Sequence, residues 1–108
     1  MAINYSDLFE TLEKGVTDLA KNSLVDYLNE ATMDGASIIA NMKTDLQNWS
    51  QLLEDGEIDE ENFTSLILGE KDLLKMDALM HAGLAMIRVD QFRSDICDLV
   101  IKTITSLI

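Results

Sequence analysis

The sequence predicts an all-α fold, a long-helix antiparallel hairpin with a short connecting helix that completes a helical bundle by oligomerisation. The 108 residues contain no proline, the residue least compatible with a helix interior. Apolar residues recur at intervals of three and four, the spacing of one helical face. Glycines and capping residues divide this single domain into helices of about residues 7–21, 24–54, 60–68 and 72–108.

The first two predicted helices differ in how clearly they are bounded. The first follows Ser6, a favourable N-cap, and its apolar residues between positions 8 and 19 share a face. The second carries an apolar seam over residues 24–53, in alternating steps of four and three, that stops at Gly56. Because the polar break at residues 22 and 23 is weak, the sequence leaves open whether these helices form one rod.

The last third of the chain is predicted as one long amphipathic helix. It follows a short helix that begins after Asp59 as N-cap and ends at Gly69. From residue 72 onward, polar residues recur at intervals of three, four or seven, so they share one face, interrupted where Leu84 occupies it. This stripe comprises Asp77, His81, Arg88, Gln91, Asp95, Asp98, Lys102 and Thr105.

Two glycines fall inside predicted helices. Glycine in a helix interior costs about 1 kcal/mol relative to alanine, so Gly35 and Gly83 indicate a constraint that outweighs this loss. Small residues surround both positions. We therefore expect the second helix and the C-terminal helix to cross closely at these positions, with a hinge or kink as the alternative.

Composition restricts the classes of partner. An apolar fraction of 47% against 26% charged residues indicates a folded chain. The net charge of −12 repels phosphate backbones and anionic headgroups, so we expect no nucleic-acid partner. We also expect no signal peptide, no membrane-spanning helix and a cytoplasmic location. The single cysteine, Cys97, has apolar neighbours and is expected to be a buried thiol.

The segment DGEIDEENF, residues 55–63, is similar to the second half of an EF-hand calcium loop. Earlier ligand positions of that loop would fall on Gln51 and Leu53, and a leucine side chain cannot coordinate calcium. We therefore expect no metal, and keep a calcium- or metal-responsive module as an alternative function. Its donors would be Asp55, Glu57, Asp59 and Glu61. Six of the eight residues at positions 54–61 are carboxylates, so a basic protein is a candidate partner at this turn.

Motifs of the common catalytic sites are absent from the sequence. His81, the only histidine, follows Asp77 by one turn, and both belong to the polar stripe, so we expect surface residues. We predict neither an enzyme nor a cofactor. The six methionines are expected mainly to fill the core.

Residues 46–92 carry a Trp before a Leu-Leu pair, a Gly-x-Ile turn, a Lys-Asp-Leu step, and an Ala-Gly-Leu-Ala segment leading into Arg-Val-Asp-x-Phe. In these motifs the chain resembles a family of small, uncharacterised all-helical bacterial proteins. The resemblance implies a helical fold and a bacterial cytosolic setting, without an activity. Within it, Arg88 and Asp90 are expected to have a specific task, with an ion pair as the alternative.

The predicted function is a non-enzymatic helical interaction or oligomerisation module. A lone hairpin cannot bury both the apolar face of the last helix and the seam of the second, so we expect pairing with a second copy, with a dimer favoured. A peripheral membrane helix over residues 96–108 is a further alternative, although its polar side lacks the expected bases. The predicted interface consists of Leu84, Ile87, Phe92, Ile96, Val100, Ile104 and Leu107.

Overall fold

Five α-helices are found in the computed structural model, which describes residues 3–71 and 74–107. They are α1 (Tyr5–Ser23), α2 (Leu28–Glu54), α3 (Glu60–Glu70), α4 (Asp77–His81) and α5 (Met86–Thr105). A 3-10 turn, Val25–Tyr27, separates α1 from α2. Since the described residues contain no strand, the predicted all-α class is confirmed.

Helix α1 runs antiparallel to α2 and to α5 and lies between them. Near its start, the Tyr5 hydroxyl donates to the Gln47 carbonyl at 3.2 Å, and further along Val16 lies against Gly35. On the other side, the Leu99 side chain packs onto Gly15. The 27 residues of α2 extend about 40 Å, which accounts for the 42 Å length of the molecule.

Helices α3 and α4 complete the bundle. Helix α3 packs on α2 and α5, and α4 packs mainly on α2. The Phe63 and Phe92 rings are fully buried in one core to which all five helices contribute. The seam predicted over residues 24–53 forms the inner face of α2, where Ala31, Ile38 and Leu46 are buried.

The close packing predicted at Gly35 is confirmed, because a Cβ added there would overlap Val16 Cγ1. The neighbour is α1, however, and not the C-terminal segment that the small-residue pattern indicated. Gly83 does not mark a crossing at all. A Cβ added to it would meet nothing within 4 Å.

The prediction of one helix over residues 72–108 is wrong within the described residues, and its two ends at Asp72 and Ile108 lie outside them. Gly83 has a φ of 88°, in the left-handed region that favours glycine. Its N–H donates to the Met80 carbonyl, and the N–H of Leu84 donates to the Leu79 carbonyl. This Schellman motif, with Leu79 and Leu84 both buried, ends α4 and turns the chain into α5.

Two further boundaries differ from the sequence prediction, and one that it left open is decided. Helix α1 begins at Tyr5 with Asn4, and not Ser6, as its N-cap, because the Asn4 side chain accepts from the Asp7 N–H at 3.1 Å. Helix α1 is separate from α2, since the chain leaves the α-helix at Leu24, whose side chain is buried. As a separate helix, α1 packs against the apolar side of α5 that we expected a second copy to cover. Gly69, expected to end the third helix, lies inside α3, which continues to Glu70.

Candidate interaction surfaces

The first turn of α5 is tied to the turn between α1 and α2. One guanidinium nitrogen of Arg88, Nη2, donates to the Ser23 carbonyl at 3.2 Å, and the group lies 6.0 Å from the centre of the Tyr27 ring. Arg88 thus binds one of the carbonyls that the end of α1 leaves free. Asp90 instead forms an ion pair with Arg93 in its own helix at 2.7 Å.

Helix α4 is held on α2 by the buried carboxylate of Asp34. Its two oxygens accept hydrogen bonds from the backbone N–H groups of Ala78 at 3.0 Å and Leu79 at 2.8 Å. Arg93 Nε donates to the Leu74 carbonyl at 3.0 Å and fixes the segment before α4 against α5. These contacts bring the start of α2, all of α4 and the start of α5 to one end of the bundle.

Most of the large apolar side chains that are exposed among the described residues lie at this end. Of seven such side chains, five flank the contacts just described, with Ile87 79% exposed and Val25 68% exposed. We name this set the methionine end. It consists of Val25, Met33, Met80, Met86 and Ile87.

A second surface lies at the opposite end of the bundle, where the first turn of α1 meets the last turn of α5. A cleft of about 370 Å³ opens between them. Ile3, Leu8 and Leu107 supply its apolar walls, and Asp7 and Ser106 are among the polar residues at its edge. We name it the terminal cleft. Leu107 is half exposed there, whereas Leu8 is buried.

The acidic turn, residues 54–61, lies beside the first turn of α1. Burial raises the pKa of the Tyr5 hydroxyl, and the carboxylates of Glu54 and Asp55 raise it further. The hydrogen bond from the Tyr5 hydroxyl to the Gln47 carbonyl places the first turn of α1 beside the last two turns of α2, which the acidic turn follows. The terminal cleft therefore lies at the same end of the bundle as a concentrated negative charge.

Backbone geometry explains the residue types of the acidic turn. Gly56, with a φ of 77°, closes a Schellman motif at the end of α2, where the N–H of Glu57 donates to the Leu52 carbonyl. Asp59 is the N-cap of α3 and forms a capping box with Asn62, as its carboxylate accepts from the Asn62 N–H at 2.7 Å. These requirements produce the likeness to a calcium loop.

The four carboxylates considered as calcium donors do not converge in the structure. Asp55 accepts a hydrogen bond from the Gln51 side chain at 3.0 Å, and Asp59 is used in the capping box. Glu57 and Glu61 are exposed on the turn and on the first turn of α3. Within residues 3–71 and 74–107, no three His, Cys, Asp or Glu side chains are grouped closely enough to hold a metal ion.

No protein-family model matches the chain, and neither a curated protein nor a solved structure matches it.

The seven residues predicted as an interface are divided between the core and the surface. Leu84, Phe92, Ile96, Val100 and Ile104 are buried inside the single chain, so the folded protein does not present them to a partner. The expectation is corrected because α1, α3 and α4 of the same chain pack on α5. Ile87 and Leu107 are exposed, at opposite ends of α5 about 30 Å apart.

A peripheral membrane helix over residues 96–108 would need the same buried face. Ile96, Val100 and Ile104 are fully covered by the bundle, so this segment offers no continuous apolar side to a bilayer. The residue Ile108 lies outside the described part. In the described residues, no helix combines the length and the apolarity needed to cross a membrane.

The remaining candidate side chains have structural surroundings. His81 is exposed, and its Nδ1 lies 2.8 Å from the backbone carbonyl of Asp77, not from the carboxylate. Cys97 is buried, as predicted, and burial raises the pKa of its thiol, with Lys71 opposing this effect. The Ser50 side chain is also fully buried.

Sequence reasoning missed the methionine end and Asp34. Met42 and Met76 fill the core as expected, but Met33, Met80 and Met86 are exposed. Met80 and Met86 flank the turn at Gly83, which the predicted continuous helix did not include, so periodicity alone could not show that their side chains meet at one end of the bundle. Asp34 did leave a signal, because it has the spacing of the inward residues Ala31 and Ile38 and yet is charged.

Proposed function

We propose that this protein is a non-enzymatic interaction module that pairs with a second copy of itself through the methionine end. The observation that carries the proposal is the concentration of five exposed apolar side chains at one end of the bundle. Single exposed apolar residues are ordinary, whereas a concentration of them marks an association surface. Pairing two such ends would remove these side chains from water on both copies.

The residue types at the methionine end suit an association surface. Methionine is flexible and polarizable, so its side chain adapts to the shape of an opposing apolar surface. The backbone beneath it is fixed by the hydrogen bonds of Asp34 and Arg88. A rigid frame with adaptable side chains lowers the entropy that binding removes.

Charge gives the proposed dimer a characteristic salt dependence. Each copy carries a net charge of −12, and Asp26 and Asp77 lie beside the methionine end. Like charges repel across such an interface, and dissolved salt screens the repulsion. We therefore expect the dimer to become tighter as the salt concentration rises.

The test compares two exposed apolar residues by light scattering on a size-exclusion column, over a range of protein concentrations. We expect a dimer for the wild type and for Leu68→Asp, whose side chain is exposed away from the methionine end on α3, and a monomer for Ile87→Asp. X-ray scattering should give the dimer a longest dimension close to twice the 42 Å of one chain. A wild type that stays monomeric at every concentration, or an Ile87→Asp variant that still dimerises, would refute the proposal.

Two residues of the interface predicted from the sequence can be compared with Ile87. Leu84 and Ile104 are buried, so Leu84→Asp and Ile104→Asp should unfold the single chain and not merely separate two folded copies. Ile87→Asp should leave the melting temperature of the monomer unchanged, because the side chain is exposed before any pairing.

A further inference from the structure

The terminal cleft is a second surface, distant from the methionine end and not used by the pairing proposed above. Leu107 at its wall and Ile87 at the methionine end are separated by the length of α5. The cleft volume of about 370 Å³ is at the lower end of the range for binding pockets. It can therefore receive anchoring side chains of a partner, while the remainder of the partner must lie on the surrounding surface.

That surrounding surface is strongly acidic. Asp7 lies at the cleft edge, and six of the eight residues of the adjoining acidic turn are carboxylates, without a base among them. No lysine or arginine is among the described residues that line the cleft. Lys43 lies 5.1 Å from the centre of the Phe9 ring, and Lys102 lines a separate groove with Asp95 and Asp98. Apolar walls at the same end of the bundle as this acidic turn favour a partner that is both apolar and basic.

We infer that the terminal cleft is the docking site for a basic amphipathic helical segment of another protein. The apolar side chains of the segment enter between Ile3, Leu8 and Leu107. Its lysine or arginine side chains face Asp7 and the acidic turn. This arrangement combines burial at the centre with ionic contacts at the rim, as in other helix-in-groove interfaces.

Charge also selects among the other candidate occupants. A second copy of this chain carries the same net charge of −12 and would oppose one acidic turn to another. Nucleic acids and anionic lipid surfaces are repelled for the same reason. A basic segment gains from the same field, which steers it toward the cleft before contact.

The experiment uses a fluorescent amphipathic helical peptide with leucine on one face and lysine on the other, and measures binding to the full chain by anisotropy. We expect saturable binding that weakens as salt is added, since the rim contacts are exposed and screened. A peptide with glutamate in place of each lysine should not bind. The absence of binding by the lysine peptide, or equal binding of both peptides, would overturn the inference.

Two variants and one matched control locate the site. Leu107→Asp removes an exposed apolar wall, and we expect Kd to rise at least about tenfold. Glu57→Lys with Glu61→Lys should raise Kd about tenfold. Glu13→Lys with Asp18→Lys makes the same change in net charge on the outer face of α1 and should alter Kd by less than about twofold. Equal losses in both charge variants would show attraction to the whole acidic surface and overturn the inference.

This inference does not depend on the pairing proposal, and the two can fail separately. The peptide should bind the Ile87→Asp monomer as tightly as the wild type. Salt should strengthen pairing and weaken peptide binding, so one salt titration of each readout tells the two interactions apart.

Discussion

The carboxylate of Asp34 accepts a 2.8 Å hydrogen bond from the backbone N–H of Leu79, which lies 45 residues further along the chain. Its other oxygen accepts from the Ala78 N–H at 3.0 Å. Both N–H groups belong to the first turn of α4, whose own N-cap residue, Met76, has no side-chain acceptor. Helix α2 thus provides the N-cap that the local sequence of α4 lacks.

Removing this carboxylate should destabilise the fold. For Asp34→Ala we expect the free energy of unfolding to fall by about 1–2 kcal/mol, because two buried N–H groups lose their acceptor. Asp34→Asn keeps one acceptor oxygen and should lose less. Urea denaturation measures both. Asp18→Ala is the control, since it removes an exposed carboxylate from the interior of α1 with the same gain in helix propensity. Equal stability changes at the two positions would contradict the capping role.

Gly35→Ala should destabilise the contact between α1 and α2. The added Cβ would overlap Val16 Cγ1, and overpacking of this kind costs about 1–3 kcal/mol, which exceeds the helix-propensity gain of about 1 kcal/mol. At Gly69 in α3 no atom lies within 4 Å of an added Cβ, so Gly69→Ala should stabilise the protein. Thermal unfolding should therefore show a lower melting temperature for Gly35→Ala and a higher one for Gly69→Ala than for the wild type.

A double-mutant cycle tests the named partner. In the Val16→Ala background, Gly35→Ala should become neutral or stabilising, because the overlapping Cγ1 atom is gone. A penalty for Gly35→Ala that is the same with and without Val16→Ala would assign the overlap to another neighbour.

Gly83→Ala should lower the free energy of unfolding, whereas a continuous terminal helix predicts that the same change raises it. An alanine at a φ of 88° is strained by about 1–2 kcal/mol, whereas in a helix interior the same change would stabilise by about 1 kcal/mol. Gly83→Asn should lose less, because asparagine tolerates this conformation. Urea denaturation of the wild type, Gly83→Ala and Gly83→Asn measures the three free energies of unfolding. A Gly83→Ala variant that is more stable than the wild type would exclude the observed turn.

Burial of Cys97 predicts a loss of stability at alkaline pH. Its pKa is raised in the folded state, so the unfolded chain releases the thiol proton first. The contribution is fully present below the unfolded pKa of about 8.5 and declines as pH rises above it, at most by about 1.4 kcal/mol per pH unit.

The check is the urea midpoint of wild type and Cys97→Ala between pH 8 and pH 9.5, a range chosen around the unfolded thiol pKa of about 8.5. In Cys97→Ala the urea midpoint should fall less steeply as the pH rises. Tyr5→Phe should not, because the pKa of Tyr5 is also raised and starts from about 10. An identical pH dependence in the wild type and in Cys97→Ala would show that the thiol does not contribute.

The sequence predicts what depends on local spacing. The helical class, the end of α2 at Gly56, the cap at Asp59 and the inward seam of α2 all follow from periodicity and capping chemistry. The sequence also contained a sign of the Gly83 turn. The polar stripe is interrupted at Leu84, the residue whose buried side chain completes the Schellman motif.

What the sequence could not predict depends on which helices meet. Nothing in the spacing of residues 7–21 says that α1 lies between α2 and α5, and this placement decides that Ile96 and Val100 are core and not interface. The terminal cleft likewise exists only because two segments nearly a chain length apart, around Ile3 and Leu107, come together. The sequence did identify the acidic turn, and a basic partner was predicted there from charge alone, but the sequence did not reveal the apolar walls of the cleft.

The borrowed cap of α4 also implies an order of events during folding. A helix of five residues is too short to nucleate alone in water, and here its first turn has no acceptor until α2 has formed. Local contacts between consecutive helices such as α1 and α2 close the shortest loops and should form early. The amides of Ala78 and Leu79 should therefore gain protection from hydrogen exchange after those of α1 and α2, when α4 docks on α2.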